Sequence, residues 1–338
     1  MNGADPGVSV LLPCRDAAVT LPDCIASLRA QTFSNFEVVA VDDGSTDATP
    51  ALLAEWAERD GRVRVMDGAG RGLVPALRLA AANALAPLLA RMDADDIAHP
   101  ERLDRQKELL TRRSELAACG TGVALFPREA LRSGYRRYEE WLNSLRTPGE
   151  LLRDLFVECP IAHPTLMIRA SALRGLGGYR DMGWPEDYDL ILRLHLAGMR
   201  AANVEGCLVR WRVTPGRAST SSPSYGPAAF RRCKVHFLRH GVLPTRRPLV
   251  VWGAGRVGKA FARELLRQGL PVSAFVDLDR RKIGQMIHGA PVLDPAGFAP
   301  RREAFVLVAV GSPGARDEIR LALNALGRRE LEDFRVVA

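Results

Sequence analysis

Two groups of acidic residues follow short apolar runs: Asp42-Asp43 after Phe36–Val41, and Asp93-Ala94-Asp95-Asp96 after Leu88–Met92. Like charges held close destabilise each other, so carboxylates at neighbouring strand ends require something positive between them. A hard divalent cation bridging substrate phosphates meets that requirement, since Mg2+ or Mn2+ takes oxygen ligands and typically one or two carboxylates. The plainer reading of the same residues is a solvated acidic turn or a helix N-cap, with Asp96 or His99 ahead of a helix over 100–112. A third pair, Glu186-Asp187, follows Pro185 and reads as the first turn of a helix, where acids suit the dipole.

The elements that must position these groups are legible as periodic segments. Val8–Leu12 is a short apolar run closed by Pro13, Phe36–Val41 is a second, and Arg62–Met66 alternates, so each predicts a strand. Helical spacing covers 21–30, 50–58 and 73–89 up to Pro87, and Leu88–Met92 is a further strand. Strand and helix in alternation imply an α/β fold with a parallel sheet and helices on both faces. Ligands of such sheets bind beyond the carboxyl ends of the strands, where both acidic groups stand. Residues 100–240 mix helices (100–112, 129–145, 187–197) with strands such as Leu116–Phe126, and Thr214–Pro227 is a loop or lid candidate. Near Pro244–Pro248 the chain restarts with Leu249–Trp252 and a second strand–helix–strand pattern.

The 338 residues correspond to about two domains, and 47% hydrophobic with 25% charged residues is a globular composition. No apolar run reaches ~18 residues. The nearest, Leu79–Ala90, is interrupted by Asn83 and Pro87, which excludes an integral membrane protein. No basic segment followed by an apolar core opens the chain, so no secretory signal is expected. Six cysteines without paired spacing (Cys14, Cys24, Cys119, Cys159, Cys207 and Cys233) point to reduced thiols in a cytoplasmic compartment, not to a disulfide framework or structural zinc.

The net charge of +8 is uneven: residues 1–245 carry 31 basic and 29 acidic side chains, residues 246–338 carry 16 and 10. Between Glu205 and Glu264 no acidic residue occurs, while a dozen Arg and Lys do, from Arg210 to Arg263. A field of that sign favours an anionic partner such as a diphosphate or an anionic lipid surface at the inner membrane face, or it is simply a solvated basic face. Nucleic acid is not expected, because the run has few aromatics and no recognisable binding module.

The stretches VSVLLPCRD, LPDCIASLRAQTFSNFEVVAVDDGSTDAT and LLARMDADDIAHPERL together resemble family 2 glycosyltransferases of GT-A fold, and the likeness continues through ECPIAHPTLMIR and GGYRDMGWPEDYDLILRLHLAG. It covers about residues 6–215. The resemblance implies a nucleotide-diphospho-sugar transferase domain over 1–240, with a mainly parallel sheet. It implies an inverting, metal-dependent transfer of sugar from a nucleotide-diphosphate donor to a hydroxyl of a glycan or lipid-linked acceptor in polysaccharide biosynthesis.

By the same resemblance, Asp43 accepts from the nucleotide base, with Pro13 and Arg15 in the loop flanking it. Asp93 lies near the ribose, Asp95 is the metal ligand with Asp96 as helper, and Asp187, paired with Glu186, is the catalytic base. A sugar hydroxyl is a weak nucleophile, so inverting displacement needs a positioned base opposite the leaving diphosphate. His163 and Arg169 match a segment near acceptor and diphosphate, Arg71 and Arg78 are phosphate contacts, and Trp184 is either an acceptor-stacking platform or a core residue. The chain departs from the family in two places. Arg78 stands where an asparagine is common, and Trp211-Arg212 is not followed by the late histidine that closes over the metal, so Arg212 is assigned only to the acceptor or diphosphate region.

Over 246–338 a small Rossmann-like α/β domain is expected. Gly253-Ala254-Gly255-Arg256-Val257-Gly258 follows a strand and opens a helix, and Asp277 ends the next strand. That is the context of a dinucleotide fingerprint, with glycines for the turn and an acid for ribose hydroxyls. The segment also resembles the small domain preceding some sugar acyltransferases, and Val310–Gly314 is a second strand end able to complete a pocket. Its use is open between a nucleotide or NAD(P) site, a docking module and a sugar-modifying enzyme. The competing readings of the whole chain are an NAD-linked sugar-nucleotide oxidoreductase or epimerase, and a non-catalytic sugar-nucleotide sensor.

Overall fold

A computed structural model describes residues 5–214, 222–244, 246–312 and 314–338. The chain divides into two units, one made of Met1–Leu151, Pro160–Met182 and Glu186–Ser221, the other of Leu152–Cys159, Gly183–Pro185 and Ser222–Ala338. Residues 215–221, half of the loop or lid candidate, lie outside the described residues.

The first unit opens with β1 (Val8–Cys14), α1 (Leu21–Arg29), β2 (Phe36–Asp42), α2 (Thr49–Arg59), β3 (Val63–Asp67), α3 (Leu73–Asn83) and β4 (Leu88–Arg91). It continues with β5 (Ile97–Ala98), α4 (Arg102–Arg112), β6 (Leu116–Phe126), α5 (Ser133–Ser144) and α6 (Pro148–Asp154), whose last residues belong to the second unit. The remaining elements are β7 (Met167–Arg169), α7 (Ala170–Gly175), α8 (Glu186–Leu196) and β8 (Arg200–Arg212). All seven residues of β1 are buried, as expected of a central parallel strand covered on both faces.

These strands form one sheet in the order β3-β2-β1-β4-β7-β6-β8-β5. β1 pairs in parallel with β2 and β4, β2 with β3, and β6 with β8, whereas β7 runs antiparallel to β4 and β6, and β5 antiparallel to β8. The order reverses between β1 and β4, because the chain goes outward through β2 and β3 and then returns to the other side of β1. Outside the carboxyl ends of that pair lies the crevice where open α/β sheets bind ligands. The core beneath it joins Val10, Leu12, Val38, Ala40 and Ala90 of the sheet with Leu21, Leu28, Leu53 and Trp56 of α1 and α2.

The second unit holds β9 (Leu249–Trp252), β10 (Val272–Val276), β11 (Met286–Ile287), β12 (Ala290–Leu293), β13 (Phe305–Val308) and β14 (Phe334–Val336), in the order β11-β12-β10-β9-β13-β14. All neighbours are parallel except the β11–β12 hairpin, and the order reverses between β9 and β13. Helices Arg256–Arg267 and Ala315–Ala325 follow β9 and β13, and helix Pro227–Gly241 groups with this unit. Val250, Val251, Phe275, Val306 and Phe334 form the buried strand positions.

Candidate active site

Three strand ends bring the acidic residues to the β1–β4 crevice. Asp43 directly follows β2, and its N–H donates to the Cys14 carbonyl at 2.8 Å, tying it to the end of β1. Its carboxylate is buried and accepts the Gly72 N–H at 3.0 Å through both oxygens. Gly72 caps α3 at φ 100°, a left-handed conformation that a side chain disfavours, so this contact depends on glycine. Arg15, just past β1 and half exposed, places Nη1 3.7 Å from Asp43 Oδ2. Pro13 is buried in β1, and Arg71 is exposed beside Gly72.

Beyond β4, the carboxylates of Asp93, Asp95 and Asp96 each offer one oxygen, and these atoms lie within 4.8 Å of one another. Oxygen donors at that separation suit a hard divalent cation. Asp96 is fully buried and accepts the Arg212 N–H at 2.7 Å, while Arg212 Nε donates to the Asp95 carbonyl at 2.7 Å and Nη2 to Asp23 at 2.8 Å. Arg212 therefore braces the acidic turn.

Two buried arginines underlie the cluster, and neither was singled out from the sequence. Arg91, the last residue of β4, is 2% exposed and donates through Nη2 to Asp93 Oδ1 at 2.6 Å and through Nη1 to the Met92 carbonyl. Burial pulls this guanidinium's pKa down, while Asp93, Tyr179 and Glu186 hold it up, and the balance lies above the usual arginine value. Arg102, 1% exposed, donates to the Arg91 carbonyl at 2.6 Å and to Gln106 Oε1 at 3.0 Å. Burial brings its pKa down to about 10 against the pull of Asp96. An arginine closing an apolar strand directly before acids, as in LLARMDADD, was the available signal.

The same Arg91 faces the group around the proposed base. Its N–H donates to the Leu166 carbonyl at 2.8 Å, next to the 3-10 turn His163–Thr165. In that turn His163 lies with Nδ1 3.3 Å from Glu186 Oε1 and Nε2 3.2 Å from the Tyr179 hydroxyl. All three side chains are buried, and burial raises the Tyr179 pKa, so its hydroxyl keeps its proton. Asp187, half-buried, is the next residue of α8, and one of its oxygens accepts the Tyr188 N–H at 2.7 Å. Arg193 locks the helix to the preceding loop by binding Asp189 at 2.6 Å and the carbonyls of Leu176 and Gly178.

One expectation is corrected, and two further residues find partners within the chain. Arg169 pairs with Leu88, at the amino end of β4, so it stands at the opposite edge of the sheet from the acids. Its guanidinium binds the carbonyls of Leu116 and Leu110 at 2.8 and 2.6 Å, capping the end of α4 instead of meeting acceptor or diphosphate. Arg78 directs Nε to the Tyr179 carbonyl at 2.7 Å, a brace within the first unit. Trp184 groups with the second unit, its ring 5.2 Å from His236 and 6.5 Å from Phe237 of helix Pro227–Gly241. That packing is the core alternative to the stacking platform.

In the second unit the glycine loop is built as a close-packed turn. A Cβ on Gly253 would stand 2.6 Å from the Ala309 oxygen, one on Gly258 would fall on the Gly253 carbonyl, and Gly255 faces open space. Asp277, which ends β10, accepts the Ala254 N–H at 2.8 Å, pairs with Lys282 at 3.0 Å and accepts the Asp279 N–H at 2.9 Å. Both oxygens are thus engaged within the chain, and Asp277 clamps the loop to the strand end. Part of the basic run is likewise absorbed: Lys234 is buried on the carbonyls of Val157 and Val337, and Arg247 binds three carbonyls and Asp333. None of the six cysteines is joined in a disulfide. Among the described residues, no helix is long and apolar enough to cross a membrane.

The family described as "Glycosyl transferase family 2" matches residues 9–177. EpsE of Bacillus subtilis (strain 168) is 31% identical over 212 residues, 61% of this chain and 73% of that protein. The O-antigen biosynthesis glycosyltransferase WbnJ of Escherichia coli is 29% identical over 220 residues, 64% and 81% of the two chains. Among solved structures, S. aureus TarS 1-349 in complex with UDP-GlcNAc superposes with a TM-score of 0.57 at 16% identity, covering 77% of this chain and 72% of that one, a likeness of fold. The chain belongs to glycosyl transferase family 2, and it is an enzyme, a glycosyltransferase built on a GT-A-like α/β fold.

Proposed function

We propose that the first unit transfers a sugar, with inversion, from a nucleotide-diphosphate sugar to a hydroxyl of a glycan or lipid-linked acceptor. The observation that carries this reading is the set of three carboxylates within 4.8 Å at the end of β4, beside the strand-order reversal. WbnJ and AmsE, named for O-antigen and amylovoran biosynthesis, support a role in polysaccharide assembly. The transferase region is taken as 1–240 and the C-terminal domain as 246–338. Work at the cytoplasmic face of a membrane would bring a lipid-linked acceptor within reach.

In this mechanism Asp43 receives the base of the nucleotide between Pro13 and Arg15, and Arg71 faces the phosphates. Asp95 and Asp96, with Asp93 toward the ribose, would hold Mg2+ or Mn2+. The ion, when bound, offsets the charge that develops on the leaving diphosphate. Asp187 takes the proton of the acceptor hydroxyl as that oxygen attacks the anomeric carbon. His163 and Tyr179 fix Glu186, and so the first turn of α8, without touching the reacting atoms.

The test is nucleotide release from a panel of nucleotide sugars, with and without Mn2+, in the wild type and in Asp95→Asn, together with Mn2+ binding by calorimetry. Release from one donor that needs the ion, with both release and Mn2+ binding lost in Asp95→Asn, supports the reading. Release that persists in Asp95→Asn, or in the presence of a chelator, overturns the metal assignment.

A further inference from the structure

Arg335 lies in the middle of β14, between Phe334 and Val336, which are fully buried. It is itself only 7% exposed, and its Nε and Nη1 are buried with no hydrogen-bonding partner. The two other buried cations among the described residues of this unit are satisfied. Arg328 donates to the carbonyls of Ala304 and Arg301, and Lys234 to those of Val157 and Val337. Arg335 has five N–H donors and no acceptor of its own, so nothing within its side chain relieves the deficit.

The neighbouring acids do not fill the gap. Glu330 is the one carboxylate whose charge reaches Arg335. Both its oxygens are already taken by Arg320 Nε, at 3.1 Å each. Arg320 also binds Asp154 at 2.5 Å, and Asp154 is shared with Arg153 at 3.0 Å. The local acids are thus committed to other guanidinium groups, and two buried donors of Arg335 are left without an acceptor among the described residues. Guanidinium is matched best by the oxygens of a phosphate or carboxylate, which accept two of its donors at once.

We propose that Arg335 anchors an oxyanion-binding site in the C-terminal unit, distinct from the transferase site and independent of its reading. The ligand group is a phosphoryl or a carboxylate oxyanion. Two sources of that chemistry are separable by probe: inorganic phosphate for the phosphoryl group and acetate for the carboxylate.

The experiment uses the full chain, with phosphate, acetate and chloride at matched ionic strength, read by calorimetry and by thermal melting. The expected result is saturable binding of phosphate or acetate, with a rise in melting temperature that chloride does not give. In Arg335→Met that binding weakens at least tenfold, and in chloride the variant melts at or above the wild type, because an unpaired buried charge is gone. Arg335→Lys keeps the charge and retains part of the binding. Equal response to all three anions in the wild type overturns the proposal, as does unchanged binding in Arg335→Met. If Arg335→Met does not fold, the wild-type comparison and Arg335→Lys decide: anion-specific binding that is full in Arg335→Lys and indifferent to the guanidinium also overturns it.

Discussion

The Arg91 guanidinium stands 2.6 Å from Asp93 Oδ1, at the point where β4 ends and the acidic turn begins. Because Arg91 is buried and Asp93 is partly open, the arginine is the fixed partner and sets where that carboxylate points. Its charge also reaches Tyr179 and Glu186, so one cation acts on both acidic groups. Arg91→Met removes this counter-charge and leaves acids facing each other. Loss of one partner from a buried pair typically costs about 3–5 kcal/mol, an upper bound here since Asp93 is a quarter exposed. Urea denaturation should show a clear loss of stability in Arg91→Met, a smaller one in Arg91→Lys, and nucleotide release reduced in both.

Asp187→Asn should separate binding from transfer. The substitution keeps size and an oxygen that can accept the Tyr188 N–H, as Asp187 does at 2.7 Å, so α8 keeps its start. It removes the ability to take a proton, and general base catalysis typically contributes about 10²- to 10⁴-fold. Donor binding measured by calorimetry should stay within about threefold of the wild type while acceptor-dependent turnover falls by ~10² or more. Tyr179→Phe is the contrasting variant. It breaks the contact to His163 Nε2, and with it the support of Glu186, so its turnover should fall less than that of Asp187→Asn.

How far these sites were readable follows from the distance over which each residue finds its partner. Asp43 and Asp93 were legible because a strand end is encoded locally, by an apolar run and the polar residue that stops it. The strand Leu116–Phe126 was readable for the same reason. Arg169 was not, since its partners are carbonyls at Leu110 and Leu116, more than fifty residues away, and its charge gave no hint that backbone would absorb it. Trp184 belongs with His236 by a packing that no spacing near residue 184 announces. Asp277 was placed correctly at a strand end, but its engagement by Lys282 and Ala254 depends on the turn that follows β10. Arg91 and Arg102 looked like surface residues by type, because arginine is rarely buried unless it is paired.

Thiol chemistry should distinguish Cys207 from the other five cysteines. Cys207 is exposed, whereas Cys14, Cys24, Cys119, Cys159 and Cys233 are buried. Burial raises the pKa of Cys14 and Cys24, and pushes Cys119 up to about 12. The Cys207 thiol is also raised, first by partial burial and then by Glu139. Since the thiolate is the reactive form, alkylation at pH 7.5 should label Cys207 alone and more slowly than a free cysteine. Its rate should rise close to tenfold per pH unit up to and beyond pH 9, and the remaining five should label only in denaturant. Mass spectrometry of peptides after a timed pulse of iodoacetamide reads this directly.

Gly258→Ala tests whether the glycine loop is a packing device of the C-terminal unit. The added Cβ would fall on the Gly253 carbonyl, a backbone atom that cannot rotate away, so either the helix Arg256–Arg267 or the loop must shift. Overpacking of this kind typically costs about 1–3 kcal/mol, and more where backbone must move. Gly255→Ala is the internal control, because its Cβ would meet nothing within 4 Å and its φ is −85°, which any residue adopts. Gly258→Ala should therefore lower the unfolding midpoint strongly while Gly255→Ala stays close to the wild type. Assayed for transferase activity at a temperature below either midpoint, both variants should retain the nucleotide release of the first unit, whose acids Asp43, Asp93, Asp95 and Asp96 follow β2 and β4. Loss of that release in Gly258→Ala alone, at a temperature where it is folded, would show that the transferase depends on the integrity of the C-terminal sheet.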